Sequence, residues 1–289
     1  MRESVLQPIH DSAGAEFTEV GGWKIPAHYG DVASEYGALR NGVALFDLSA
    51  RGKLRVTGSD RARFLHGMVT NRVEGLEDGE SRYAALTDAR GNTLADLWVH
   101  NRGEAFLLET EPGLQEKVAA GLDRYLIADD VVIKDVTTDS ALIGVRGPKA
   151  QALIRECLQI PNSGLPPGRR ALGSYGATEV ELTVGSPLDG AGFSLWVELG
   201  IAVRLWTALH EAGAQPVGFE ALEIVRIESG VPRYGMDVDE QVIPLEAGLD
   251  RAVDFEKGCF IGQEAIAKMH HLGKPRRYLV GLVIDGDAI

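Results

Sequence analysis

The sequence is poor in cysteine, in long apolar runs and in positive charge. Its two cysteines, Cys157 and Cys259, cannot frame a disulfide-held fold of 289 residues, and they lack the C-x-x-C spacing of a closed zinc site. That usage fits a reducing compartment, so a cytoplasmic location is expected and no metal ligands are assigned. No apolar stretch approaches the roughly 20 residues that a helix needs to cross a bilayer, so no membrane partner is expected. The first residues, MRESVLQPIHDSAGAEF, show neither an apolar signal core nor an Arg-rich composition, which speaks against a secretory or transit segment. A formal net charge of −13 speaks against nucleic acid as a partner, because phosphate affinity comes from clustered cations. An anionic ligand would have to be drawn in by a local basic patch, and Lys268 to Arg277 is the best candidate. The phosphate-binding loop, the H-E-x-x-H zinc helix and the G-x-S-x-G elbow are all missing. DVDEQV, from Asp237, begins like a calcium loop but lacks the glycine for its sharp turn. PNSGLPPGRR (161–170) reads as a surface loop, and no low-complexity segment or flexible linker is evident.

What remains is the composition of a soluble globular protein, 45% hydrophobic and 25% charged, long enough for one large or two ordinary domains. GKLRVTG (52–58) reads as a strand, and Ser59 and Asp60 offer a cap to a helix with Ala62, Leu65 and Val69 on one side. SRYAALTDARGNTLADLWVH reads as two strands around a turn, GLQEKVAAGLDRYL as a helix, and DVVIKDV as a strand. The order then begins again. ALIGVRGPKAQALIREC is strand, turn and helix, with Pro148 in the helix's first turn; TEVELTV and GFSLWVEL are strands, and AVRLWTALHEAG is a helix. LRVTGSDRARFLHGM and IGVRGPKAQALIREC match in pattern at an offset of about 90 residues, too long for a solenoid repeat. The expected fold is therefore α+β and pseudo-duplicated, with two similar strand–helix–hairpin units at 52–135 and 141–215 inside a 1–250 region. A helix from Phe219 to Ser229 follows, and RYLVGLVIDGD reads as a final strand inside a small C-terminal β domain (251–289) that is short or truncated.

Three places can carry chemistry. In TLADLWVH, Leu94, Asp96 and Trp98 share one strand face and Ala95, Leu97 and Val99 the other. An acid in a strand apolar on both sides is costly unless it is paired or lines a ligand cavity, and both readings stay open. Arg226 and Glu228, at the end of an apolar helix, read equally as surface charges or ligand contacts. In KGCFIGQEAIAKMHHLGKPRR (257–277), Cys259 reads either as a small buried hydrophobe or as a thiol activated by cations between close-approach glycines. Cys157 reads as core, and His270 and His271 as solvated.

The residues also resemble a family. FTEVGGWKIPAHYGDVASEYGALRNGVALFDLSARGKLRVTG and IESGVPRYGMDVDEQVIPLEAGLDRAVDFEKGCFIGQE look like the two halves of the folate-binding superfamily of the glycine cleavage T-protein, an aminomethyltransferase. K-G-C-F-x-G-Q-E is similar to the signature of its branch linked to iron–sulfur cluster assembly and repair. The resemblance runs from about residue 16 to the end, in the family's order. It implies a cloverleaf-like fold with tetrahydrofolate in a central channel, and Asp96 at the family's strand acid beside the folate's reactive nitrogens. It places Arg226, Glu228 and Tyr234 at or near that channel. Lys268, Lys274, Arg276 and Arg277 suit the anionic glutamate tail on composition alone. Ser194 stands near the transferase's pterin-holding glutamate, with Asp189 close by, and Ala50 stands where the transferase has a histidine.

The expected function is a tetrahydrofolate-binding protein that supports iron–sulfur cluster assembly or repair, with Cys259 as its working thiol and iron–sulfur assembly proteins as partners. The alternative is a folate-dependent aminomethyl- or methyltransferase with Asp96 as the key acid and a lipoyl carrier protein as partner.

Overall fold

Alternation of apolar and small residues makes strands here, and the same pattern occurs twice. The computed structural model describes residues 1–160, 168–185 and 192–282. The N-terminal part contributes α1 (Gln7–Ser12), β1 (Glu16–Val20), β2 (Trp23–His28), α2 (Val32–Asn41) and β3 (Ala44–Asp47). The first unit follows: β4 (Gly52–Thr57), α3 (Arg61–Met68), β5 (Ser81–Thr87), β6 (Thr93–Asn101), β7 (Phe106–Thr110), α4 (Gln115–Asp123) and β8 (Val132–Asp135). The second has the same order: β9 (Ser140–Arg146), α5 (Ala150–Leu158), β10 (Arg170–Tyr175), β11 (Thr178–Val184), β12 (Phe193–Glu198), α6 (Leu199–Glu211) and β13 (Gln215–Pro216). The chain continues through α7 (Phe219–Glu228), single turns at Pro244–Ala247 and Asp250–Ala252, and α8 (Gln263–Leu272).

The sheets carry the duplication. One has the order β5-β6-β7-β4-β8 and the other β10-β11-β12-β9-β3-β13, so position for position they match, with β3 inserted between β9 and β13. Each sheet builds its own core. Leu54, Leu65, Leu86, Leu97 and Leu108 fill the first, and Leu45, Ile143, Leu182, Leu195 and Leu205 the second. A third cluster, with Phe46, Val217 and Leu222, joins α2 and α7 to β3.

Two local expectations change. Ser59 and Asp60 do not cap α3 through their side chains; Asp60 accepts the Asp130 N–H and Ser59 donates to the Asp130 carboxylate, tying the helix entry to the β8 approach. Residues 277–282 form no strand, and Leu279 N–H donates instead to the Glu246 carbonyl. The rest of RYLVGLVIDGD, Asp189 and most of the 161–170 loop lie outside the described residues. Among the described residues no barrel closes, and no helix is long and apolar enough to cross a membrane.

The KGC segment is a joint between elements. The buried Lys257 ammonium donates to the carbonyls of His66, Val69 (2.6 Å) and Asn71 (3.1 Å), which closes the C-terminal end of α3. Such carbonyls lack helical partners and carry partial negative charge, so a cation there is favourable. Gly262, at φ +84°, lets the chain pass against the β5–β6 turn, where an added Cβ would sit 2.5 Å from the Asp88 carbonyl oxygen. Between these anchors Cys259 is exposed, and α8 begins at Gln263.

Candidate functional site

On β6 the side chains of Ala95, Leu97 and Val99 are buried in the first core, with Leu94 packed against its edge, and Asp96 and Trp98 face the other way. Asp96 and Trp98 enter the wall of a cavity of about 860 Å³, its open mouth included. The opposite walls come from the N-terminal part, through Val20, Ile25 and Pro26, and from α7 and its following loop, through Phe219, Leu222 and Pro232. Tyr83, Trp98 and Phe219 give it aromatic surface, with the Tyr83 and Trp98 rings 5.2 Å apart. Three arginines, Arg51, Arg226 and Arg233, and three acids, Asp47, Asp96 and Glu111, complete it.

Each charge has a local reason. The Tyr83 hydroxyl donates to Asp96 Oδ2 at 2.7 Å across the β5–β6 pair, where Asp96 sits opposite Ala85. Burial, and then the Glu111 charge, push the Asp96 carboxyl above the usual aspartate range. Burial, and then the Asp96 charge, also push the Tyr83 phenol well up, so it stays a donor. Glu111 goes the other way: burial would raise it, but Arg51 and then Arg233 outweigh burial and hold it below the usual range. Arg51 bridges Glu109 and Glu111, and burial is likewise outweighed at Glu109, which falls to about 2. Asp47 is an anchor. Its carboxylate accepts from Ser4 Oγ, the Ser49 N–H and His10, whose other ring nitrogen meets the Tyr29 hydroxyl at 2.8 Å. That network holds α1 and the β2 wall against β3.

Two of the sequence candidates meet in this cavity, Asp96 and Arg226. Arg226 is buried, with its donors directed to Glu223, the Val231 carbonyl and Asp237 at 2.6–3.1 Å. It therefore stiffens the wall that it lines. Glu228, two residues on, is turned outward, because positions two apart on a helix do not share a face. It is exposed, takes a hydrogen bond from Tyr36 and pairs with Arg40. Tyr234 follows the cavity residue Arg233 but does not line the cavity; its hydroxyl accepts from Lys117 at 2.6 Å. Lys268 and Arg276 are exposed outside the cavity lining, and Lys274 borders a separate hollow with Met269, His270 and Tyr278. Cys259 lies outside the lining as well, and Lys257 spends its charge on α3 instead of on the thiol. Cys157 is half-buried against the second core, where burial pushes its thiol up. His270 stacks on Phe255, and both His270 and His271 are exposed.

Ala50 lines the main cavity. Ser194 borders a second, smaller hollow behind Trp98, shared with His100, Glu109 and Thr183. Sequence reading missed Tyr83, Arg51, Glu111 and Arg233. The available signal was pairing register: a strand acid at 96 puts its hairpin and ladder neighbours on the same face.

Comparison with known proteins agrees with this geometry. The family model of the GCVT N-terminal domain matches residues 6–257. An aminomethyltransferase of Rubrobacter xylanophilus is 33% identical over the whole chain, which covers 78% of that protein. One of Shouchella clausii is 34% identical over 96% of the chain and 77% of its own length. The crystal structure of glycine cleavage system aminomethyltransferase T from Bartonella henselae superposes with a TM-score of 0.85 at 25% identity, covering 94% of this chain and 75% of that one. These relatives stand on the transferase side of the two readings open from sequence, and none of them supports the iron–sulfur reading. A fold of two matched sheets, a cavity between them and α7, and relatives of this kind place the chain in the aminomethyltransferase family that carries the GCVT N-terminal domain.

Proposed function

We propose that the chain is a folate-dependent aminomethyltransferase and that the Asp96 cavity is where its chemistry takes place. The observation that carries this reading is the Asp96–Tyr83 pair, set in an aromatic and arginine-lined cavity. The residues fit a reduced folate. The cavity's tilted Tyr83 and Trp98 rings offer a face to a flat heterocycle, and its carboxyls can accept from an amide-like N–H edge. Bound tetrahydrofolate would supply the amine nitrogens that receive the one-carbon unit from a lipoyl carrier protein.

The chain's own residues bind, orient and manage protons. Tyr83 fixes Asp96 through Oδ2. Arg226, with its donors directed into Glu223, Val231 and Asp237, keeps the α7 wall rigid. Val20, Ile25, Pro26 and Leu222 exclude water from the reacting end, which strengthens every charge interaction inside it. Asp96, whose carboxyl is held above the usual aspartate range by burial and then by the Glu111 charge, is the group suited to donate to a departing amine. The test is equilibrium binding of 5-formyltetrahydrofolate to the wild type and to Trp98→Ala. Loss of the stacking face predicts an affinity about tenfold weaker, roughly 1.4 kcal/mol. Equal affinity in the two proteins would remove the cavity from folate binding.

A further inference from the structure

Two acids, Asp96 and Glu111, line this cavity, and they are treated differently. In the β6–β7 ladder Trp98 pairs with Glu109 and Leu97 with Thr110. Continuing that register by one residue sets Asp96 opposite Glu111 on the same face. Like charges directly opposite across a ladder repel. Glu111 has two cations: Arg51 Nη1 and Arg233 Nε, the latter 3.2 Å from Oε2. Arg233 is itself fixed between Glu111 and Glu223 and lies over the Phe219 ring at 4.8 Å. Among the described residues Asp96 has no ion pair, and its side-chain partner is the neutral Tyr83 hydroxyl.

We propose that Glu111 is the positioning residue for Asp96: its charge, pinned by Arg51 and Arg233, stands in the same cavity wall and disfavours a second carboxylate at Asp96. A pair of acids whose surroundings drive them apart is how one site holds a proton donor and a fixed negative charge together. The other groups facing Asp96 are accounted for. Tyr83 on β5 and Arg51 ahead of β4 favour the ionised form, while burial and Glu111 oppose them and prevail. Arg251 lies over the Tyr83 ring, with its guanidinium 5.0 Å from the ring centre. Asp47, across the cavity, is occupied by His10, Ser4 and Ser49.

This role rests on the folate-dependent reading for its substrate, but its electrostatics can be measured without one. The full chain, carrying carboxyl-13C aspartate, is titrated by NMR without ligand, and Asp96→Asn assigns the resonance. Wild type should titrate above the ordinary aspartate range, near 3.9. Glu111→Gln should lower the midpoint by about one pH unit, because burial remains when the charge is removed. Arg233→Met, which leaves Glu111 less neutralised, should raise the midpoint; general loosening of the site would not produce shifts of opposite sign. An unmoved midpoint in Glu111→Gln, or shifts of the same sign in both variants, overturns the proposal. In transfer assays the loss of kcat at rising pH should begin at lower pH in Glu111→Gln. If the NMR shifts appear while the wild type transfers nothing, the folate-dependent reading fails and the Glu111–Asp96 coupling stands.

Discussion

Arg226 and Glu228 belong to one short motif, and the structure gives them opposite fates. Arg226 directs five hydrogen bonds to Glu223, Val231 and Asp237, and its side chain is only 5% exposed. Arg226→Leu leaves Asp237 without its cation and Glu223 with Arg233 alone, in a largely buried setting. Breaking a buried pair on one side costs about 3–5 kcal/mol. With an unfolding entropy of about 2.1 cal/mol/K per residue, a chain this long should lose roughly 5–8 °C in Tm. Glu228 is 43% exposed and pairs with Arg40 at the surface. Glu228→Gln should cost no more than about 1 kcal/mol, under about 2 °C, and leave folate affinity untouched. Thermal unfolding by circular dichroism, with folate binding on the same samples, measures both variants. A clear loss of folate affinity in Glu228→Gln, or an Arg226→Leu protein as stable as wild type, would refute the outward and inward placements of these side chains.

Other consequences follow from the same contacts. The Lys53 and Lys257 ammonium groups are buried, and burial lowers each to about 8 from an unfolded value near 10.5. Between those values the unfolded chain binds more protons, so both lysines should make stability rise with pH from about 8 to 10.5, and Lys53→Met should flatten that rise in urea unfolding series. Gly262→Ala places a Cβ against the Asp88 carbonyl at a positive φ, so it should destabilise by more than the ~1–2 kcal/mol of the left-handed backbone alone, measured by the same unfolding series. Cys259 is exposed outside the cavity, so it should react with a thiol reagent in the native protein, and Cys259→Ser should keep folate affinity.

The fold was largely legible because its signals are local and repeated. Strand alternation in LRVTG, TLADLWVH and ALIGV, with a helix after each opening strand, is enough to show a unit occurring twice. The site was legible only in part, for reasons of geometry. Asp96 stood out because its strand is apolar on both faces. Tyr83 and Glu111 are as close to it as any residues, but their nearness comes from pairing register, which no single stretch displays. Arg226 and Glu228 look alike in a motif, and only the helical rotation between them separates wall from surface. KGCFIGQE shows its composition in sequence but not its placement. Its lysine, cysteine and glycines suggest reactive chemistry, yet Lys257 closes a helix end, Gly262 permits a close crossing, and Cys259 is simply exposed between them.

The central claim is that this cavity supports aminomethyl transfer, and one experiment addresses it most directly. Aminomethyl-loaded lipoyl carrier protein and tetrahydrofolate are mixed with the chain in a single turnover, beside an authentic T-protein as control. The account predicts release of ammonia with formation of methylene-tetrahydrofolate, and a large loss of rate in Asp96→Asn at unchanged fold. No release while the control is active, or full rate in Asp96→Asn, would contradict it.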